Sequence, residues 1–247
     1  MSNKVKLHLF ARGFSLVEMA IVLTILGFVI GALLLPVKAQ REQLFQSQTN
    51  NLLEISKKSL LGYAQSQGRL PCPAIAASNG AEDQTPPGSG TCTQQLGFLP
   101  AATLGIQPTD ANGFALDAWG NRIFYAVTQT NNGGAVTPDF TTVNDMNNVG
   151  IAALQPNLRV CVTSTAAGCS ATINMVNNAV AVIYSLGPTG SAASGGADEN
   201  ENLDVNTVFI SHEPHSANDP NGEFDHVVTW ISPFVLYNAM IEAGQLH

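Results

Sequence analysis

Residues 12–38 read RGFSLVEMAIVLTILGFVIGALLLPVK, and the order of residue types in this stretch governs how the remaining chain is read. From Phe14 to Leu35 the only charge is Glu18. At 1.5 Å per residue a helix over 14–35 reaches about 33 Å, enough to cross a hydrocarbon core of roughly 30 Å. Lys4, Lys6 and Arg12 precede it without an acid, which favours a cytoplasmic N-terminus and places the bulk of the protein outside the cytoplasm. Lys38 and Arg41, just after the run, reduce that asymmetry. A cleaved signal peptide is the alternative, but its apolar region would run about 7–15 residues to a small-x-small site. This run is longer and ends Leu34-Leu35-Pro36-Val37-Lys38 without one. Glu18 is the informative residue, since a carboxylate within a membrane helix costs about 2.5–3.5 kcal/mol on insertion scales and calls for a partner. Snorkelling to the interface is the plain alternative for an acid so near a helix end.

The composition narrows the class. The chain has 247 residues with 45% hydrophobic and only 11% charged residues, against roughly 25% charged in a typical soluble domain. Up to Arg69 there are eight Lys/Arg and three Asp/Glu, net +5, whereas 70–247 holds two Lys/Arg and fifteen Asp/Glu, net −13. That excludes a disordered polyampholyte, and so acidic a head would repel phosphate backbones, so no nucleic-acid partner is expected. An even set of cysteines, Cys72, Cys92, Cys161 and Cys169, suits an oxidising compartment and reads as two disulfides. Three connectivities are possible. The most local, Cys72 with Cys92 and Cys161 with Cys169, asks least of the fold, with Cys161 and Cys169 stapling a hairpin between 160–163 and 171–173.

Past Pro36, the residues Phe45, Leu52, Leu53, Ile55, Leu60 and Ala64 recur at helical spacing with polar residues between them, predicting an amphipathic continuation to about residue 65 that stops before Gly68. From Leu70 onward the signals change. Short runs rich in β-branched and aromatic residues, 122–128, 159–163, 179–186, 206–211 and 224–231, are bounded by Gly, Asn, Asp and Pro and read as strands. The chain closes with a helix capped by Ser232 with Pro233 in its first turn, Tyr237, Met240 and Ile241 on one face, and Gly244 as its stop. The class is therefore α+β, a long helix with an antiparallel sheet and a small closing helix.

Arg12-Gly13-Phe14-Ser15-Leu16-Val17-Glu18, followed by the apolar run with Gly27 and then Pro36, closely resembles the N-terminus of type IV pilin-like precursors, the prepilins and pseudopilins, over residues 8–40. The resemblance implies residues 1–13 as leader, 14–35 as membrane and assembly helix, 36–66 as its amphipathic continuation, and 70–247 as a periplasmic or extracellular head. It implies cleavage between Gly13 and Phe14 by a prepilin peptidase, N-methylation of Phe14, and docking through Glu18 onto other pilin or pseudopilin subunits and an assembly platform. Pro36 stands one residue later than the usual kink proline. A head of this size suggests a minor pilin or minor pseudopilin with a tip, priming or adhesive role. The alternative is a membrane-anchored periplasmic enzyme or ligand-binding protein for which the first 35 residues are only a tether.

Two head segments are similar to the major pseudopilins of type II secretion systems. Asp117-Ala118-Trp119-Gly120-Asn121 leads into a strand, with Gly120 supplying a turn and Asp117 capping it. Leu186-Gly187-Pro188-Thr189-Gly190, followed by Gly195-Gly196-Ala197-Asp198-Glu199-Asn200, resembles a loop that holds a structural calcium there, which makes Asp198 and the Leu186 carbonyl the implied ligands. Thr189 stands where relatives usually offer an Asp. No other cofactor is expected. His212-Glu213-Pro214-His215, with Asp225 and His226 downstream, is the one cluster with a catalytic or metal-binding look. It lacks the HExxH spacing, Pro214 breaks helical presentation, and no Gly-x-Ser-x-Gly elbow or GxxxxGK[ST] cradle accompanies it. The sequence therefore predicts no enzyme.

Overall fold

The computed structural model describes residues 13, 15–132, 137–165, 169, 174–190, 195–220 and 222–247, with only the backbone described at 32–37. It divides into two compact units, Met1–Leu44 and Phe45–His247. A helix, α1 (Leu16–Gln67), contributes to both.

In the first unit the described apolar side chains of the helix lie open to solvent. Leu16, Met19, Ile21, Leu23, Ile25 and Phe28 are all exposed, a run of apolar surface that water alone does not favour. Among the described residues no helix is long and apolar enough to cross a membrane. The span expected over 14–35 reaches beyond them, since Phe14 lies outside the described residues and the side chains at 32–35 are not described. The leader at 1–12 also lies outside them.

The second unit is built on the other part of α1. Thr49, Leu52, Leu53, Ser56, Leu60 and Ala64 are buried at steps of one, three and four, so one face of the helix is dry. Ser56 is tolerated there because its Oγ donates to the Leu52 carbonyl at 2.8 Å. Ile55, expected on that face, is 52% exposed, because two residues from Leu53 and five from Leu60 carry it round to the far side of the helix.

Among the described residues seven strands follow: β1 (Leu96–Phe98), β2 (Phe124–Val127), β3 (Leu158–Cys161), β4 (Asn174–Ala179), β5 (Ala181–Ser185), β6 (Val208–Ile210) and β7 (Val227–Ile231). A four-stranded antiparallel sheet has the order β1-β2-β5-β7, and a three-stranded sheet has the order β4-β3-β6. In the smaller sheet β3 and β6 run parallel, a pairing the local sequence pattern did not announce. β5 is buried at every position because it is central, with β2 and β7 as neighbours. Its residues Ala181 and Ile183 join the core with Leu60, Ala64, Tyr125 and Leu236, while Val182 and Tyr184 pack with Leu158, Val160 and Phe209 toward the smaller sheet.

Three short helices were not anticipated: α2 (Ala101–Leu104), α3 (Asp145–Val149) and α4 (Ala197–Leu203). Each is too brief to show a periodic apolar face. The closing helix α5 (Pro233–Glu242) is capped by Ser232, whose Oγ accepts from the Val235 N–H at 3.4 Å. Leu236, Tyr237 and Met240 are its buried face, whereas Ile241 is 49% exposed. The structure pairs Cys72 with Cys92 and Cys161 with Cys169. Residues 171–173, the far side of the expected staple, lie outside the described residues.

Candidate assembly segment and head loop cluster

The N-terminal segment starts its helix with its own side chains. Ser15 Oγ accepts from the Val17 N–H at 3.3 Å, and Glu18 Oε2 accepts from the Ser15 N–H at 2.8 Å. Together these form a capping box, which satisfies donors that a helix start leaves open. The acid singled out in the sequence thus has a partner within its own chain, and the Ser-x-x-Glu spacing that encodes it was legible. Gly13 is exposed. Phe14 lies outside the described residues, so nothing places it beside Glu18.

In the head, Asp117 organises the turn ahead of β2. Its Oδ1 accepts from the backbone N–H groups of Trp119 at 2.9 Å and Asn121 at 2.8 Å, and its Oδ2 accepts from Ser185 Oγ at 2.6 Å. Gly120 sits at φ 91°, a left-handed conformation that favours glycine. Asn121 Nδ2 donates to the Gly187 carbonyl at 2.7 Å, tying this turn to the loop after β5.

Asp198, in the first turn of α4, is buried and well supplied with donors. Its Oδ1 accepts from Ser164 N–H at 2.6 Å and Thr163 Oγ1 at 3.2 Å, and its Oδ2 lies 3.1 Å from His212 Nε2. Burial would raise this carboxyl, but hydrogen bonds from Ser164 and the neighbouring His212 outweigh it and hold it below the usual carboxylate range. The His212 ring stacks on Phe224 at 3.8 Å and lies 4.7 Å from the His215 ring, so the histidines of that segment serve packing and the contact with Asp198.

A different group converges beside it. One oxygen each of Glu199 and Asp225 and one ring nitrogen of His226 lie within 4.8 Å of one another, the only such set of three among the described residues. Glu199 Oε1 accepts from the Asp225 N–H at 2.8 Å, and Asp225 Oδ2 accepts from the Thr189 N–H at 2.9 Å. Burial, with the Asp225 charge added, pushes the Glu199 carboxyl up to about 7, and burial pulls His226 down to about 4. The sequence reading passed over Glu199. The available signal was the Gly195-Gly196 pair before it, which lets another chain segment approach closely.

The fold and the N-terminal segment together define the class: an α+β protein consistent with a pilin-like fold, whose first helix opens with a capped acid and an uncovered apolar run. Residues 10–34 match the family model for the prokaryotic N-terminal methylation motif, so the chain carries the signature of type IV prepilin-like proteins. That signature marks substrates of prepilin peptidase that assemble with other pilins, a structural rather than catalytic family. No curated protein and no solved structure matches the chain.

Proposed function

We propose that this protein is a minor pilin or minor pseudopilin, cut between Gly13 and Phe14, methylated at Phe14, and built into a type IV pilus or a type II secretion pseudopilus. The observation that carries the reading is the methylation motif at 10–34 with Glu18 inside it. Before assembly, residues 14–35 anchor the subunit in the inner membrane, with the leader cytoplasmic and the head periplasmic. Cleavage frees an α-amino group at Phe14 whose reference pKa of about 7.7–8.0 leaves it mostly protonated. At 4 Å and an effective dielectric of 20, two unit charges attract by about 4 kcal/mol. Glu18 of one subunit therefore neutralises the amine of its neighbour as both leave the bilayer, and an unpaired subunit stays in lipid. The exposed Leu16, Met19, Ile21 and Leu23 supply the apolar surface that neighbouring helices cover. The head works mechanically, at a tip or priming position. Mass spectrometry of the mature N-terminus tests this directly: methylated Phe14 is expected, and a chain still beginning at Met1 overturns it. Glu18→Ala is expected to leave the protein expressed and membrane-bound but absent from filaments, and normal incorporation would remove the assembly role.

A further inference from the structure

We propose that the head carries a self-pairing surface on the outer edge of β7, where a second copy of this chain adds its own β7 in antiparallel register centred on Thr229. The contact belongs to the unit Phe45–His247 alone and goes beyond the assembly reading of the N-terminal segment.

This edge is open in a way the other edges are not. β7 ends the order β1-β2-β5-β7, so among the described residues only β5 pairs with it. At the opposite end β1 has three residues, and Phe98 exchanges both its backbone hydrogen bonds with Ala74 at 2.8 Å. In the smaller sheet β6 gives the N–H groups of Val208 and Ile210 to the side chains of Asn206 and Asn202, and β4 carries Asn174, Asn177 and Asn178. β7, Val227-Val228-Thr229-Trp230-Ile231, has five residues without a charge or a proline, the features that commonly keep an exposed edge from pairing.

Backbone alternation says which residues face outward. The Ile231 carbonyl accepts from the Val180 N–H at 2.9 Å, and on the other side of β5 the Thr128 N–H donates to the Val180 carbonyl at 3.0 Å. Val227, Thr229 and Ile231 therefore point their backbone groups at β5, and Val228 and Trp230 point theirs at the open edge. No strand or side chain among the described residues takes them. Antiparallel pairing about Thr229 makes this edge complementary to itself. Val228 of each copy exchanges both backbone bonds with Trp230 of the other, and the two Thr229 residues face each other with about 4.5 Å between Cα atoms. A β-branched residue opposite an aromatic one, and threonine opposite threonine, are favourable cross-strand pairs.

Charge favours a copy of the chain in this register. A head of net −13 repels its like, yet the two paired strands set no acid against an acid. Beyond Ile231 the same register carries Glu223 and Asp225 of the second copy past Pro233 to Val235 of the first. Beside the strand at that end lies a groove of about 350 Å3 lined by Lys57, Thr229, Trp230, Ile231, Ser232 and Val235. Lys57, whose ammonium has a solvent-facing partner in Glu54 at 3.0 Å, is the cation there, and the acids of the second copy come to it. Phe234, 77% exposed, and Val235, 49% exposed, add the apolar surface that such a contact covers.

The test uses the full chain in detergent micelles, followed by analytical ultracentrifugation and amide hydrogen exchange over a range of protein concentration. A monomer–dimer equilibrium is expected, with protection of the Val228 and Trp230 amides rising with concentration while Thr229, bonded to β5, stays protected throughout. Thr229→Lys and Thr229→Glu each set like charges face to face and should weaken dimerisation about tenfold or more, and an equal mixture of the two should restore it. Val228→Pro removes an outward N–H, leaves the bonds to β5, and should weaken dimerisation about tenfold. Should both Thr229 variants unfold, Val228→Pro and the exchange pattern decide. A chain that stays monomeric at high micromolar concentration, dimers unaffected by Thr229→Lys or by Val228→Pro, folded Thr229 variants that do not rescue each other, or exchange at Val228 and Trp230 that ignores concentration would each overturn the proposal. In the first case the open edge belongs to a different partner. Dimers held by the exposed apolar run of α1 persist in the Thr229 variants, and no readout depends on how the N-terminus is processed, so a failure here is distinct from a failure of the assembly reading.

Discussion

Asp117→Ala should be among the most destabilising single changes in the head outside its apolar core. The carboxylate is 6% exposed and accepts three hydrogen bonds, two from the backbone of its own turn and one from Ser185 on β5. A buried donor left without an acceptor costs about 1–3 kcal/mol. The three losses share one cavity, and water entering it recovers part of the cost, so they do not add. A total of about 3–5 kcal/mol follows from these terms. Asp117→Asn separates charge from geometry: its carbonyl still accepts from Trp119 and Asn121, and its amide can donate to Ser185 Oγ, so about 1–2 kcal/mol is expected. Urea unfolding of the full chain in micelles, followed by fluorescence of Trp119 and Trp230, measures both. An Asp117→Ala cost below about 1 kcal/mol, or an Asn variant as damaged as the Ala variant, would refute the view that this carboxylate organises the turn by accepting hydrogen bonds.

Two further outcomes are expected. Glu82 takes both guanidinium nitrogens of Arg69 at 2.7 and 2.8 Å, with Tyr63 Oη at 2.9 Å and the Cys72 N–H at 3.1 Å. Burial alone would raise its pKa, but the hydrogen bond and charge of Arg69 outweigh that and lower it. Its stabilisation is therefore fully present above the ordinary Glu value of about 4.3 and is lost as pH falls through the lowered one. The gap in unfolding free energy between the native chain and Glu82→Gln should narrow below about pH 4, and a gap unchanged down to pH 2 would contradict it. Replacing Cys72 and Cys92 by Ala should cost about 3 kcal/mol for a loop closed across 20 residues, read from the same urea curves, with peptide mapping without reductant checking the pairing.

The long helix and the closing helix were legible because each carries a local code: periodic apolar residues from Leu52 to Ala64, and a Ser-Pro start at Ser232. The strands that contribute Tyr125, Val160, Ile183, Phe209 and Ile231 were legible for the same reason. β1 was missed because three residues, Leu96–Phe98, are too few to show alternation. β4 was missed because Asn174, Asn177 and Asn178 carry little strand preference, and pairing with β3 overrides it. The loop cluster was half visible. The resemblance favoured Asp198, but the glycine contacts that bring Asp225 onto Glu199 join residues 26 apart, and only the fold makes that connection.

Glu18 was chosen in the sequence for its charge, yet the structure gives its carboxylate a second task, receiving the Ser15 N–H at the helix start. Docking onto a neighbouring amine, as the proposed assembly requires, would take the carboxylate from that task. Loss of a cap costs about 0.5–2 kcal/mol, whereas the ion pair gains about 4 kcal/mol at an effective dielectric of 20. On that proposal the exchange would be favourable only with a partner amine present, and the cap would keep the acid partnered until then. Glu18→Gln separates the two tasks, since glutamine serves in a capping box as glutamate does but cannot neutralise an amine. The Gln variant is expected to be cleaved and membrane-bound, with the helix start intact by hydrogen exchange at Ser15, and to be missing from sheared filaments. Incorporation of the Gln variant at native levels would mean that the hydrogen bond, and not the charge, is what Glu18 provides.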